Sequence, residues 1–235
     1  MLAIFKREFK SYFQNVIGWL FVAALLAVYG LYFYVYNLKN GYPYISYDLK
    51  GIGFIMMIAV PILTMRSLSD EKKTKTDQLM LTSPVSVGRI VAGKYLAMAA
   101  VYTIVIALFA LSPLVLSIYG KVALSEAYVA LFGYWLYGLS CIAVGLFISS
   151  ISESVIISAI LTFTALFLSY MMQSITGLIS SSGNLLTKVL NCFDLYTPFE
   201  NFVSGCFSVT SAAYYVTVIL LLCFPLIYQF QKCLF

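Results

Sequence analysis

Few side chains in this sequence could do chemistry, and their types and spacing exclude most kinds. There is no histidine, which removes the commonest general base and metal ligand at neutral pH. The five cysteines include no Cys-x-x-Cys pair, so no metal site is expected. Cys141 and Cys223 fall in apolar runs, where a thiol behaves as a small hydrophobe. Cys192 and Cys206 share one segment and could pair only in an oxidising compartment. The nine carboxylates form no set within an apolar run that could divide acid and base roles, which argues against an enzyme. A phosphate-cradling Gly-x-x-x-x-Gly-Lys-Ser/Thr sequence is also absent from the chain as given. What remains is charge, and its densest stretch lies between Met65 and Lys94.

In that stretch Asp70, Glu71 and Asp77 interleave with Lys72, Lys73 and Lys75, and Leu79, Met80 and Leu81 follow. Ser67 or Ser69 could cap a short helix whose first turn holds the acidic residues. A helix with mixed charge and an apolar edge suits docking to another protein; a solvated loop that merely enforces topology uses the same residues. Glu153 divides similarly, between a partner contact and a carboxylate at the positive end of a helix. Arg89 and Lys94 are expected to snorkel to lipid phosphates. Asp194 and Glu200 either line an exit or face water.

The elements that position these residues follow from composition. Of 235 residues 62% are hydrophobic and 10% charged, against about 25% charged in soluble domains, so lipid must cover much of the surface. Apolar runs at Val16–Tyr36, Gly51–Leu68, Ile90–Tyr119, Leu124–Ile148, Val155–Ile179 and Ala212–Phe230 are long enough, or nearly so, to cross a hydrocarbon core of about 30 Å. Pro61 in the second is expected to kink that span, not break it. Lys6, Arg7 and Lys10 before the first run resemble a signal peptide, but the run is long and lacks a small-x-small site, so it is expected to be retained.

With the N-terminus inside, Lys6, Arg7, Lys10, Arg66, Lys72, Lys73, Lys75, Arg89, Lys94 and Lys232 lie on one side and Lys39, Lys50, Lys121 and Lys188 on the other. That bias places both termini in the cytoplasm. It also accounts for the net charge of +5 by membrane orientation, without nucleic acid. Before the first span, Phe5, Phe9 and Phe13 fall on one helical face and Lys6, Arg7 and Lys10 on the other, the pattern of a helix lying in the interface over residues 1–15. Residues 180–211 are too apolar for a solvated loop and too interrupted for a span, so they are expected to form a short re-entrant helical hairpin in the outer leaflet. In the fifth span Ser158, Thr162, Ser169, Gln173 and Thr176 recur at helical spacing, which fits close helix packing or a cavity or dimer-interface lining. The spans hold no mid-membrane ionisable group and no internal repeat, which argues against an ion-coupled carrier or channel.

The fold class expected is therefore an all-α membrane protein, one domain over residues 1–235, with six transmembrane helices. Met65-Arg-Ser-Leu-Ser-Asp-Glu-Lys-Lys, then Leu79-Met-Leu-Thr-Ser-Pro-Val-Ser, then Gly93-Lys94, resembles the loop between helices two and three of ABC-2 type permeases. The gliding-motility and nitrous-oxide-maturation branches are nearest. Phe5-Lys-Arg-Glu-Phe-Lys-Ser-Tyr-Phe resembles their first helix, and Gly145-Leu-Phe-Ile-Ser-Ser-Ile-Ser-Glu-Ser their inner turn between helices four and five. Phe202-Val-Ser-Gly before a Tyr-rich last span resembles their C-terminal end. The resemblance implies a half-transporter of a bacterial or archaeal cytoplasmic membrane, probing no chemistry of its own. It would pair with an identical or related permease, with two ABC-type ATPase subunits that bind ATP and Mg, and in some systems with auxiliary membrane subunits. It also implies that residues 66–89 form a coupling loop in which Glu71 begins the helix docked to the ATPase. A non-transporting scaffold or mechanochemical relay stays open at this point.

The orientation makes a direct prediction. Cysteine introduced at Thr76 should resist membrane-impermeant labelling from outside, whereas cysteine at Gly41 or Asn184 should react; labelling at Thr76 would invert the topology.

Overall fold

A hydrocarbon core offers backbone amides no water, so a chain this apolar must close its hydrogen bonds within helices. The computed structural model describes residues 2–73, 87–119, 122–179 and 193–232, and every regular element among them is helical. Helix α1 (Leu2–Gln14) is followed after Asn15 by α2 (Val16–Phe33), which runs into a π-helical turn, Tyr34–Lys39. Then come α3 (Ile45–Thr64), the short α4 (Ser69–Lys73), α5 (Val87–Phe109), α6 (Ser112–Tyr119) and α7 (Leu124–Ile151). The chain closes with α8 (Val155–Ile179), α9 (Thr197–Val203) and α10 (Val209–Lys232). Among the described residues six helical segments are long and apolar enough to cross a membrane, and the protein is a multi-pass membrane protein.

The differences from the expected spans have local causes. α3 begins at Ile45, six residues before the apolar run, because Asp48 is buried against Asn37 and Lys50 projects outward. Pro61 sits inside α3, which continues to Thr64. The third run is two helices. Pro113 has no amide hydrogen for the helical ladder, and the Ser112 hydroxyl instead donates to the Phe109 carbonyl at 2.7 Å. The break falls at Ala110 and Leu111, between α5 and α6. α1 is a separate helix whose apolar face packs on α5 and α2, with Lys6, Arg7 and Lys10 exposed and Phe5, Phe9 and Phe13 half-buried. Of the expected hairpin, residues 180–192 lie outside the described residues; the rest contains α9, whose Phe199 and Phe202 are fully buried.

Helix α7 lies at the centre and packs against α3, α4, α5, α6, α8, α9 and α10. Three of its glycines make that crowding feasible. A Cβ at Gly133 would come closer than 3.0 Å to the Phe202 ring, at Gly138 to the Tyr102 ring, and at Gly145 to Thr64. Small residues where helices approach closely are the usual packing device in lipid, which supplies no hydrophobic force between helices. The Tyr102 hydroxyl, carried over Gly138, donates to the Tyr134 carbonyl at 2.8 Å.

Gly138→Ala should therefore destabilise the bundle by about 1–3 kcal/mol, the usual range for overpacking. Gly30→Ala, where nothing lies within 4 Å, should be neutral or slightly stabilising. Thermal unfolding of both variants in detergent checks the pair; equal midpoints would contradict the packing argument.

Candidate functional site

One cluster of polar groups lies at the end that carries α1, α4 and the turn from α7 into α8. At its centre is Lys94 of α5, which is 2% exposed. It does not snorkel as expected. Its position, between Ile90 and Met98 on the buried stripe of α5, directs the ammonium into the protein. There it donates to the Ser67 carbonyl at 3.0 Å and to Glu71 Oε1 at 2.6 Å, and lies 3.6 Å from Glu8 Oε1. One lysine thus joins α1, the turn after α3, α4 and α5. A buried ammonium is tolerable only with such compensation. Glu71 lies beyond the end of α3; burial raises its carboxyl pKa, and the adjacent Lys94 opposes that rise.

A second contact holds α4 from the other side. The Ser149 hydroxyl, near the end of α7, accepts the Leu68 and Ser69 amides at 3.2 Å each. These are among the orphan amides of a helix start, so a residue some eighty positions away caps α4. Neither Ser67 nor Ser69 does so. The Ser69 hydroxyl donates to the Ser149 carbonyl at 3.1 Å. Lys72 also departs from a solvated rim, since its ammonium donates to the Ser150 carbonyl. Asp70 pairs with exposed Arg66 at 3.0 Å, and Lys73 is exposed. Lys75, Leu79 and Met80 lie outside the described residues.

The other expected site residues are dispersed. Glu153 is exposed in the turn ahead of α8. On α8, Ser158 and Thr162 are fully buried and Ser169 is 8% exposed, covered by the chain's own helices. Ser169 donates to the Phe193 carbonyl at 2.7 Å and accepts the Leu195 amide at 3.0 Å, tying α8 to the approach to α9. Thr176 is half-buried; the Gln173 side chain lies outside the described residues. Asp194 neither lines an exit nor faces water. It is 4% exposed and accepts the Tyr196 and Thr197 amides at 2.9 and 3.0 Å, at the start of α9. Glu200 lies 3.4 Å from Lys50 at the opposite end of the bundle from Lys94. Cys206 is exposed, and its candidate partner Cys192 lies outside the described residues.

Sequence reasoning missed Glu8 and Ser149. Glu8 carried a readable signal, since it sits among Phe5, Phe9 and Tyr12 on the apolar face of α1 and so needs a buried cation. Ser149 carried none, because a hydroxyl does not disclose a distant partner.

Among the described residues the fold is thus a six-span helical bundle with α4 anchored at one end. Residues 31–229 match the family described as ABC-2 family transporter protein; the chain belongs to that family and is a permease subunit of an ABC transporter. No curated protein matches the chain.

The anchoring cluster can be tested by itself. Lys94→Ala removes the buried cation from Glu71, while Glu8 keeps Arg7 at 2.7 Å, and should cost about 3–5 kcal/mol, as breaking a buried pair does. Adding Glu71→Gln should restore part of the loss, giving a clearly non-additive double-mutant cycle. Thermal unfolding measures it; a lysine that merely snorkelled would give a small, additive effect.

Proposed function

We propose that the chain is the membrane half of an exporter in which residues 66–89 dock to a separate ATPase and carry its motion into the bundle. The observation that supports this most directly is the double anchoring of α4. Ser149 fastens its start to α7, and Lys94 fastens Glu71 to α5 and α1. A displacement of the loop by a docked partner would therefore be felt at once by the central helix, a neighbouring span and the N-terminal helix. In this reading Glu71 acts inside the permease as the root of the lever. The ATPase contact falls to Lys75, Leu79 and Met80, and to Glu153, which is exposed in the turn ahead of α8.

The rest of the assembly follows the family. Two permeases, identical or related, join two ATPase subunits that bind ATP and Mg, and auxiliary membrane subunits join in some systems. The basic-residue bias supports cytoplasmic termini in a bacterial or archaeal cytoplasmic membrane, with α1 lying in the interface. The Met65–Lys94 sequence supports the gliding-motility or nitrous-oxide-maturation branch. With the small hydroxyls of α8 turned inward, dimer contacts fall to other faces of the bundle. An apolar, weakly polar interior supports an amphipathic or lipid-like cargo, and export is the direction proposed for it.

Reconstitution of the permease with its cognate ATPase in lipid nanodiscs tests the lever. The wild-type permease should change the ATPase rate. Ser149→Ala and Glu71→Ala should reduce that change by about tenfold, equivalent to about 1.4 kcal/mol of coupling, at unchanged complex recovery. Lys73→Ala, on the exposed side of α4, should leave it intact. An ATPase rate indifferent to the permease would overturn the proposal.

A further inference from the structure

At the end of the bundle away from Lys94, the starts of α3 and α7 and the end of α9 enclose a cleft of about 260 Å³. That is roughly eight times a water molecule's share of liquid volume, about 30 Å³. Tyr44, Ser46, Tyr47, Lys50, Glu126 and Glu200 line it, with Val203 and Ser204. Lys50 and Glu200 are 3.4 Å apart and both partly exposed, a weak pair that a ligand could open. Glu126 is exposed and lies over Gly205, whose positive φ of 80° turns the chain after α9. The cleft thus offers one ammonium, two carboxylates and exposed tyrosine rings. A purely anionic ligand would meet two carboxylates, and a purely cationic one would meet Lys50; a dipolar ligand satisfies both.

The surface below the cleft adds an independent observation. The exposed residues of α3 are Tyr47, Lys50, Phe54 and Ile58, and all its others are buried or half-buried. Their spacing of three, four and four places them on one face. A single open stripe therefore runs from the cleft along the spanning helix, changing from tyrosine and lysine to phenylalanine and isoleucine. Tyr170 of α8 borders it, its ring 5.9 Å from that of Phe54. A charged cleft at the end of a span, continued by an apolar track into the membrane, has the shape of a lipid: headgroup first, acyl chain after.

We propose that this cleft and stripe bind an aminophospholipid, with its phosphate at Lys50, its primary ammonium between Glu126 and Glu200, and an acyl chain along Phe54 and Ile58. That the leaflet is the outer one rests on the topology proposed above; the binding does not.

Delipidated permease in detergent, without ATPase or nucleotide, provides the test, so that failure here and failure of the coupling proposal are separable. Phosphatidylethanolamine and phosphatidylglycerol with the same acyl chains are titrated, and retention is read by native mass spectrometry and thermal shift. The wild type should retain phosphatidylethanolamine about tenfold more tightly, the scale of a lost charge-assisted hydrogen bond. Glu126→Gln should remove most of that preference while leaving phosphatidylglycerol binding unchanged or stronger. Phe54→Ala should weaken both lipids equally. Both side chains are exposed, and unfolding midpoints without added lipid should match the wild type. Equal retention of the two lipids by the wild type, or an undiminished preference in Glu126→Gln, overturns the headgroup assignment. Stabilisation by soluble phosphoethanolamine as strong as by the lipid overturns the acyl track.

Discussion

No water is available inside a hydrocarbon core, and this constraint organises the whole molecule. A hydroxyl there can be satisfied by the helix that carries it. Thr64, Ser140, Thr162, Thr164 and Thr217 each donate to the carbonyl four residues back, at 2.8–3.1 Å. Such residues are silent with respect to their neighbours. The polar groups that reach across helices are therefore the informative ones: Lys94 to Glu71 and Glu8, Ser149 to α4, Ser169 to the approach to α9, Tyr102 over Gly138. They fix helix positions in an environment where apolar contact alone is nearly indifferent to partner.

The two ends of the bundle use polar groups in opposite ways. Near α1 Lys94, Glu71, Ser69 and Ser149 are turned inward and bonded across elements, so α4 is held by α7 and α5 at once. At the other end Tyr44, Tyr47, Lys50 and Glu126 remain exposed around an open cleft. Between them runs α7, whose small residues allow close contact with helices from both ends.

Span number and order were legible because runs of apolar residues longer than a hydrocarbon core have few alternatives. The fifth span coincides with α8, and the two faces of α1 separate as its period implies. What escaped had physical reasons. A hydropathy reading excludes Asp48 and Lys50 from a span, yet one is compensated by Asn37 and the other sits at the exposed rim. The break before α6 hid in continuous apolar sequence, although Pro113 was its signal. Lys94 was read by its charge and not by its neighbours Ile90, Val91, Ala97 and Met98, which are buried. With Glu8 on the apolar face of α1, it forms a pair of opposite charges each on the wrong face for water. That pattern was readable, but only by considering two segments together.

The π-helical turn at Tyr34–Lys39 bears on how this chain can change in length. A π turn closes i→i+5 bonds, as between the Asn40 amide and the Val35 carbonyl, and so holds one residue more than an α-helical turn. Losing one residue there would let the backbone relax into ordinary α geometry with its amides still bonded. Each residue of α-helix also turns the chain by about 100°, so the same deletion would rotate Asn37 away from Asp48, leaving a fully buried carboxylate without its amide. The main chain would accept the shorter length and the side chains would not. One hydrogen bond thus decides whether the chain can be shortened at this end of the first span, since only a change that keeps Asn37 opposite Asp48 preserves it.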